Sequence, residues 1–170
     1  MSGPVESAGA PSDAASDAPS DAATPEDDGS FRVTLTLEDG YRFHVDPNVV
    51  GAEGFRIDES PPLGGGGAAS PSRVLAAAMA SCLASSLLFC LRKARIDVRA
   101  LRVAARGTIV RNARQRLRVA SLHIELFPEV SAADEPRMQR CLELFEDFCV
   151  VTESVRQGIP VVVGVETHAS

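Results

Sequence analysis

The sequence predicts an α+β fold in which antiparallel sheet packs on two long helices. Three observations carry this. Five stretches, within 31–38, 41–45, 55–58, 98–110 and 117–126, read as strands, alternating apolar and polar side chains where one face is buried. Ser70 to Lys93 runs through Ala- and Leu-rich sequence without Gly or Pro after Pro71. From Glu135 onward apolar residues recur at helical spacing. No internal repeat is present, and a final apolar run, Ile159 to Val165, predicts a last strand.

Phe31 to Glu38 places Phe31, Val33, Leu35 and Leu37 on one face. Asp39-Gly40 is a hairpin turn signal, and Tyr41 to Val45 alternates again. Phe55 to Asp58 reads as a short third strand, followed by Pro61-Pro62-Leu63 and four glycines, Gly64 to Gly67. These glycines lack the Gly-Lys-Ser/Thr ending of a phosphate loop, which argues against nucleotide binding. Ser70 before Pro71 is an N-cap followed by a residue suited to the first helical position. The helix it opens has apolar residues on nearly every face, as a central buried helix does.

Val98 to Val110 and Leu117 to Leu126 predict two long strands. In the second, the inward parity switches from Leu117 and Val119 to Leu122, Ile124 and Leu126, which predicts a bulge near Ala120 and Ser121. Asp134-Glu135-Pro136 opens the second helix, with Met138, Cys141, Leu142, Phe145, Phe148 and Cys149 on its buried face. Thr152 caps a further short turn ending at Gly158.

With 170 residues and 45 % apolar content, the chain can bury a core without cross-links. Residues 1–30 stand apart from that core. They carry Glu6, Asp13, Asp17, Asp21, Glu26, Asp27 and Asp28, no basic residue, and otherwise mostly Ala, Ser, Pro and Gly, which predicts a disordered acidic tail before a single domain over 31–170. Removing those acids from the 23 Asp and Glu leaves 16 against 17 Lys and Arg, so the net charge of −6 belongs to the tail. Neither nucleic acid nor membrane is implied by charge. The start of the chain lacks the pattern of a signal peptide, and no run of roughly 20 uncharged apolar residues is present, so the expected location is the cytoplasm.

Four cysteines in such a compartment are thiols at rest, and a pair that oxidises there is more often redox-active than structural. Cys82 and Cys90 are eight apart on the first helix, as are Cys141 and Cys149 on the second, which separates each local pair by about 12 Å. Any disulfide must therefore join the two helices. Cys90 and Cys141 read as core residues. His44, His123 and His168 are too scattered for a metal site, and no cofactor is expected. The basic run from Arg92 to Arg118 alternates with apolar residues as a solvated face does, without aromatics for base stacking.

The segments DESPPLGGGG, SPSRVLAAAMASC and, 66 residues beyond that first cysteine, FCVVTESVRQGIPVVV together resemble the OsmC/Ohr family of thiol-dependent peroxidases, over roughly residues 31–166. The Pro eleven places before Cys82 and the Cys-x-x-[ST]-x-[ST]-V-R-x-G pattern around Cys149 carry the resemblance. It implies an intertwined homodimer with the two long helices at its centre and an active site near the interface. It also implies reduction of organic hydroperoxides, with Cys82 as the peroxidatic and Cys149 as the resolving cysteine, and recycling by a dithiol such as a lipoyl group. The apolar residues Met79, Leu83, Leu87 and Phe148 suit an alkyl peroxide.

Cys82 lies beyond the first turn of its helix, and burial raises a thiol pKa, so a cation must come from elsewhere. In the family's peroxidases an Arg from the N-terminal strands fills that role and is held by a Glu at the start of the central helix. By position the Arg is Arg42, with Arg32 and Arg56 as competitors. The Glu is missing, because Ser72 and Arg73 stand there, and the usual Cys-Pro is changed to Cys149-Val150. Either the Arg is left mobile or Arg73 itself serves Cys82. Three functions remain compatible with these residues: a hydroperoxide reductase, a non-catalytic member of the fold that binds an apolar ligand, and a thiol redox sensor that engages a partner.

Overall fold

The structure, a computed structural model, describes residues 29–165. The predicted acidic tail, apart from its last two residues, and His168 lie outside the described residues. The elements run β1 (Thr34–Asp39), β2 (Arg42–Asp46), β3 (Phe55–Ile57), α1 (Pro71–Lys93), β4 (Val98–Arg111), β5 (Leu117–Val130), α2 (Glu135–Leu144), a 3-10 turn (Phe145–Phe148) and α3 (Val150–Gln157).

The first three strands form one antiparallel sheet in the order β1-β2-β3, and β4 and β5 form a second, two-stranded one. The Asp39-Gly40 turn is present, with Asp39 opposite Arg42 and Gly40 at φ 54°. The β4–β5 hairpin turns at Asn112, whose side-chain oxygen accepts the backbone N–H groups of Arg114 and Arg116 at 3.0 Å each. The bulge in β5 is where the parity switch predicts it: Thr108 pairs with Ser121 and Ile109 with Val119, leaving Ala120 unpaired. Along the same hairpin Arg106 ion-pairs with Glu125 at 2.9 Å and Arg102 stacks on the Phe127 ring at 3.9 Å, as side chains of a solvated face do.

α1 begins at Pro71 after Ser70, as expected, although the Ser70 hydroxyl pairs with that of Ser72 (3.1 Å) instead of capping the helix. It ends in a pair of reversed hydrogen bonds, Ile96 N–H to the Leu91 carbonyl (3.0 Å) and Arg95 N–H to the Arg92 carbonyl (2.9 Å), with Arg95 at φ 57°. This stop buries Ile96 against the helix it closes. The start of α2 is tied to the same place, because Arg137 donates to the Ala94 carbonyl and ion-pairs with Asp134 at 2.7 Å.

One stripe of α1, Met79, Ala80, Leu83, Ser86, Leu87 and Leu91, is buried against β4, α2, the 3-10 turn and α3. The core consists of Leu83, Leu87, Leu91, Ile96, Cys141, Phe145 and Cys149. Two expectations are corrected here. α1 is not buried all round within one chain, since Phe89 is 58 % exposed. By length and composition it is also apolar enough to cross a membrane, a property that the core helices of other folds share.

Further corrections concern the C-terminal third. The predicted second helix is two pieces, since α2 stops at Leu144 and a 3-10 turn follows to Phe148, while the separate short turn expected to end at Gly158 is α3, starting after Cys149. Leu142 and Phe148, expected on the buried face, are exposed. Ile159 to Val165 forms no strand, because a strand requires a neighbouring backbone and no described segment pairs with it.

Cys141 shows what the core does to a thiol. Burial, joined by the hydrogen-bonding Cys90 thiol, pushes it up to about 11 from the ordinary 9.0. A group whose folded pKa is raised contributes stability that is complete below its unfolded pKa and lost as pH rises through the folded one. Stability is therefore expected to fall between pH 9 and about 11 by at most roughly 3 kcal/mol. Urea titrations of the native protein and Cys141→Ala across that window should show a steeper decline in the native protein. Parallel declines would remove Cys141 as the cause.

Candidate active site

The break between the 3-10 turn and α3 builds the site. Cys149 adopts extended backbone (φ −85°, ψ 96°) and occupies the N-cap of α3, so its side chain faces the helix's unpaired amides. Opposite it, from the middle of α1, comes Cys82. The two thiols face each other and each acts on the other's proton. Both are free.

Their environments differ. Cys149 is 1 % exposed and its thiol donates to Thr152 Oγ1 at 3.1 Å; when the proton leaves, that hydroxyl can turn and donate back. Burial pushes Cys149 up, but Thr152, the Cys82 thiol and the amides of Thr152 and Val151 together hold it below the ordinary range. Cys82 goes the other way. Burial raises it, the neighbouring Cys149 adds to the rise, and the amides of Val151 and Val150 only partly offset both. Of the two thiols Cys149 is therefore the easier to deprotonate, and Cys82 is the less buried residue. The activating field is the N-terminus of α3 and its hydroxyl, a source that helix position on α1 alone could not reveal.

Thr152 was expected as a cap. The structure instead puts it one turn inside α3, 3 % exposed, as the partner of Cys149, with Cys149 itself at the cap position. The spacing Cys-x-x-Thr carries this arrangement, since positions three apart share a helix face.

Beside the pair lies a cavity of about 560 Å³ lined by Leu75, Met79, Leu83, Leu126, Phe145 and Thr152 among others. Thr152 joins cavity to thiols. Of the apolar residues expected around the site, Met79 and Leu83 line this cavity. Leu87 is fully buried in the core, and Phe148 is exposed, packed on Phe89 with ring centroids 6.3 Å apart. Arg156, the Arg of the sequence pattern around Cys149, also lines the cavity and is held by Glu146 at 2.5 Å.

Among the described residues neither Arg42 nor Arg73 hydrogen-bonds either thiol. Arg42 lies on β2, 3.2 Å from Asp39 and 3.4 Å from Glu38. Arg56 on β3 takes the closer place on Glu38, at 2.8 Å, and is the main reason that the Glu38 carboxyl is held below its ordinary range. Arg73, nine residues before Cys82 on α1, lines a cavity with Ser60, Ser70 and Ser72.

A buried carboxylate, at the end of the expected third strand, is present near Arg42. Asp58, 3 % exposed, accepts the Gly67 N–H at 3.0 Å, and its other oxygen has no hydrogen-bond partner among the described residues. A methyl group added at Gly67 would touch both Asp58 Oδ2 (3.7 Å) and Arg42 Nη1 (3.9 Å), so the glycine loop packs between them. The Asp that opens the DESPPLGGGG segment was the available signal.

No protein with curated annotation matches the sequence. Solved structures do match in fold. An OsmC-like protein of unknown function from Vibrio cholerae is 17 % identical with a TM-score of 0.60, covering 74 % of this chain and 92 % of that one. An organic hydroperoxide resistance protein from Elizabethkingia anophelis is 21 % identical with a TM-score of 0.57, covering 76 % and 89 %. The organic hydroperoxide resistance protein OhrB of Bacillus subtilis is 15 % identical with a TM-score of 0.52, covering 76 % and 92 %. The family described as OsmC-like protein matches residues 64–164, well over half of the sequence and the span that holds both facing thiols. This chain belongs to the OsmC-like protein family.

Proposed function

We propose that this protein is a thiol-dependent peroxidase that reduces organic hydroperoxides. The observation that carries the reading is the Cys82–Cys149 thiol pair, which faces itself across α1 and the start of α3 beside a largely apolar cavity. As Cys82 attacks the terminal peroxide oxygen it gives up its proton, for which the facing Cys149 sulfur is the acceptor in its deprotonated form. That proton passes to the departing alkoxide, leaving Cys82 sulfenic acid and an alcohol. Deprotonated Cys149 then attacks the Cys82 sulfur, forming the disulfide and expelling hydroxide, which leaves as water after taking a proton from solvent. An external dithiol of the lipoyl type returns both cysteines to thiols.

Three further parts belong to the proposal. Arg42 or Arg73 supplies the cation that holds the peroxide or the thiolate, and Asp58 takes the place of the family's Glu beside Arg42. Two chains form a homodimer: apolar residues of β1 (Leu35, Leu37) and of residues 159–165 are exposed, with Val162 at 96 %, so a second copy would have apolar surface to cover. The α1 face bearing Phe89 would join that interface.

A second reading rests on the raised Cys82 thiol and on the absence of an Arg contact to it among the described residues. It makes the protein a non-catalytic binder of an apolar ligand in the 560 Å³ cavity. One experiment separates the two. Reduced protein receives one equivalent of cumene hydroperoxide, or of hydrogen peroxide, and intact mass is followed with peptide mapping. Rapid loss of two hydrogens mapped to Cys82 and Cys149, faster with cumene hydroperoxide, is the expected result. An unchanged mass over minutes would replace the peroxidase with the binder.

A further inference from the structure

The two helices carry a second rung of the same ladder. Cys90 follows Cys82 by eight residues on α1, and Cys141 precedes Cys149 by eight on the opposing segment, so when one pair meets the other does too. The Cys90 and Cys141 thiols interact directly, and Cys90 packs on the core cluster to which Cys141 belongs. Both are free, and the peroxidase chemistry uses neither. We propose that Cys90 and Cys141 are a second oxidisable dithiol, which closes to a disulfide that staples α1 to α2 and responds to disulfide stress independently of Cys82 and Cys149.

The two sulfurs have distinct parts. Cys141 is 3 % exposed and keeps its proton at neutral pH, whereas Cys90 is half-buried. The first attack therefore falls to Cys90. Its thiolate displaces one thiol from a small-molecule disulfide, forming a mixed disulfide. Cys141 loses its proton as it attacks the Cys90 sulfur, and the second small thiol leaves. Two electrons and two protons pass from the cysteines to the oxidant, which becomes two thiols.

About 12 Å of helix separates the rungs, too far for direct exchange with the Cys82–Cys149 pair. The second rung is thus oxidised from solution and not by its neighbour. Its disulfide would close a loop of some 50 residues between the end of α1 and the middle of α2, which raises the unfolding midpoint by roughly 10 °C. The rung is a lock on the helix pair that presents the first site.

The test uses the full-length Cys82→Ser/Cys149→Ser protein, so that failure of the peroxidase reading cannot affect it. The folded protein is incubated with oxidised glutathione and with diamide, then mapped and melted. Expected are a loss of two hydrogens mapped to a Cys90–Cys141 disulfide and a higher midpoint, reversed by dithiothreitol and absent in a variant that also carries Cys90→Ser. Two unmodified thiols, or stable glutathione adducts without a disulfide, would overturn the proposal. Should the double variant fold poorly, native protein under saturating diamide gives the same decision by peptide mapping: a Cys90–Cys141 disulfide supports the second rung, and unpaired Cys90 and Cys141 refute it.

Discussion

Cys82→Ser should abolish hydroperoxide reduction, lowering the rate of peroxide consumption at pH 7 by at least ~10³-fold, whereas Cys149→Ser should keep one slow turnover. The difference follows from geometry. A hydroxyl at position 82 leaves no sulfur on the accessible side of the pair, and Cys149, 1 % exposed beneath Thr152, is poorly placed to meet a peroxide. With Ser at 149, Cys82 can still attack. It has lost the more easily deprotonated sulfur that faces it, which should slow the first step roughly 10²-fold. The sulfenic acid then has no partner, so excess peroxide should drive it to the sulfinic state, visible as two added oxygens on the Cys82 peptide. Cys90 does not substitute, being about 12 Å along α1. Stopped-flow rates with cumene hydroperoxide and mass spectrometry of each variant provide the measurement. Activity retained in Cys82→Ser and lost in Cys149→Ser would reverse the roles and make the low-pKa sulfur the attacker.

Leu87→Ala should destabilise the fold by about 2–5 kcal/mol without changing the order of thiol reactivity. Leu87 is fully buried at the centre of α1, in one cluster with Leu83, Leu91, Ile96, Cys141 and Phe145. Truncation removes its transfer free energy and leaves a void that helices pinned by the Ile96 stop and the Arg137–Ala94 bond cannot easily fill. Urea denaturation, read as a lowered midpoint at constant slope, measures the loss. A loss below about 1 kcal/mol would mean that α1 is not the centre of the core. Because Leu87 lies between the two cysteine rungs, mapping of the variant also asks whether the ladder depends on this packing. Unchanged pairing of Cys82 with Cys149 is the expected result.

The organisation of the chain was legible wherever local chemistry set it. Period-two runs, Asp39-Gly40 and Ser70-Pro71 encode strands, hairpin and helix start within a few residues, and the parity switch at Ala120 encodes a bulge. The eight-residue cysteine spacing on each segment excluded local disulfides by helix rise alone.

What the sequence by itself determined about this protein is its element order, the location of its central helix and the two cysteines of the family pattern. Tertiary structure alone decided three things. It ended α2 at Leu144 and made Cys149, not Thr152, the N-cap of α3, where the buried thiol faces Cys82 and bonds Thr152. It made the amides and hydroxyl of α3, not a residue near Cys82 in sequence, the source of the field at the thiols. It brought Cys90 to Cys141, 51 residues apart in the chain, and set Asp58 and Arg42, 16 apart, on either side of Gly67. Local periodicity fixes which face a residue occupies; only packing fixes which other residue it meets, and a pKa depends on that meeting.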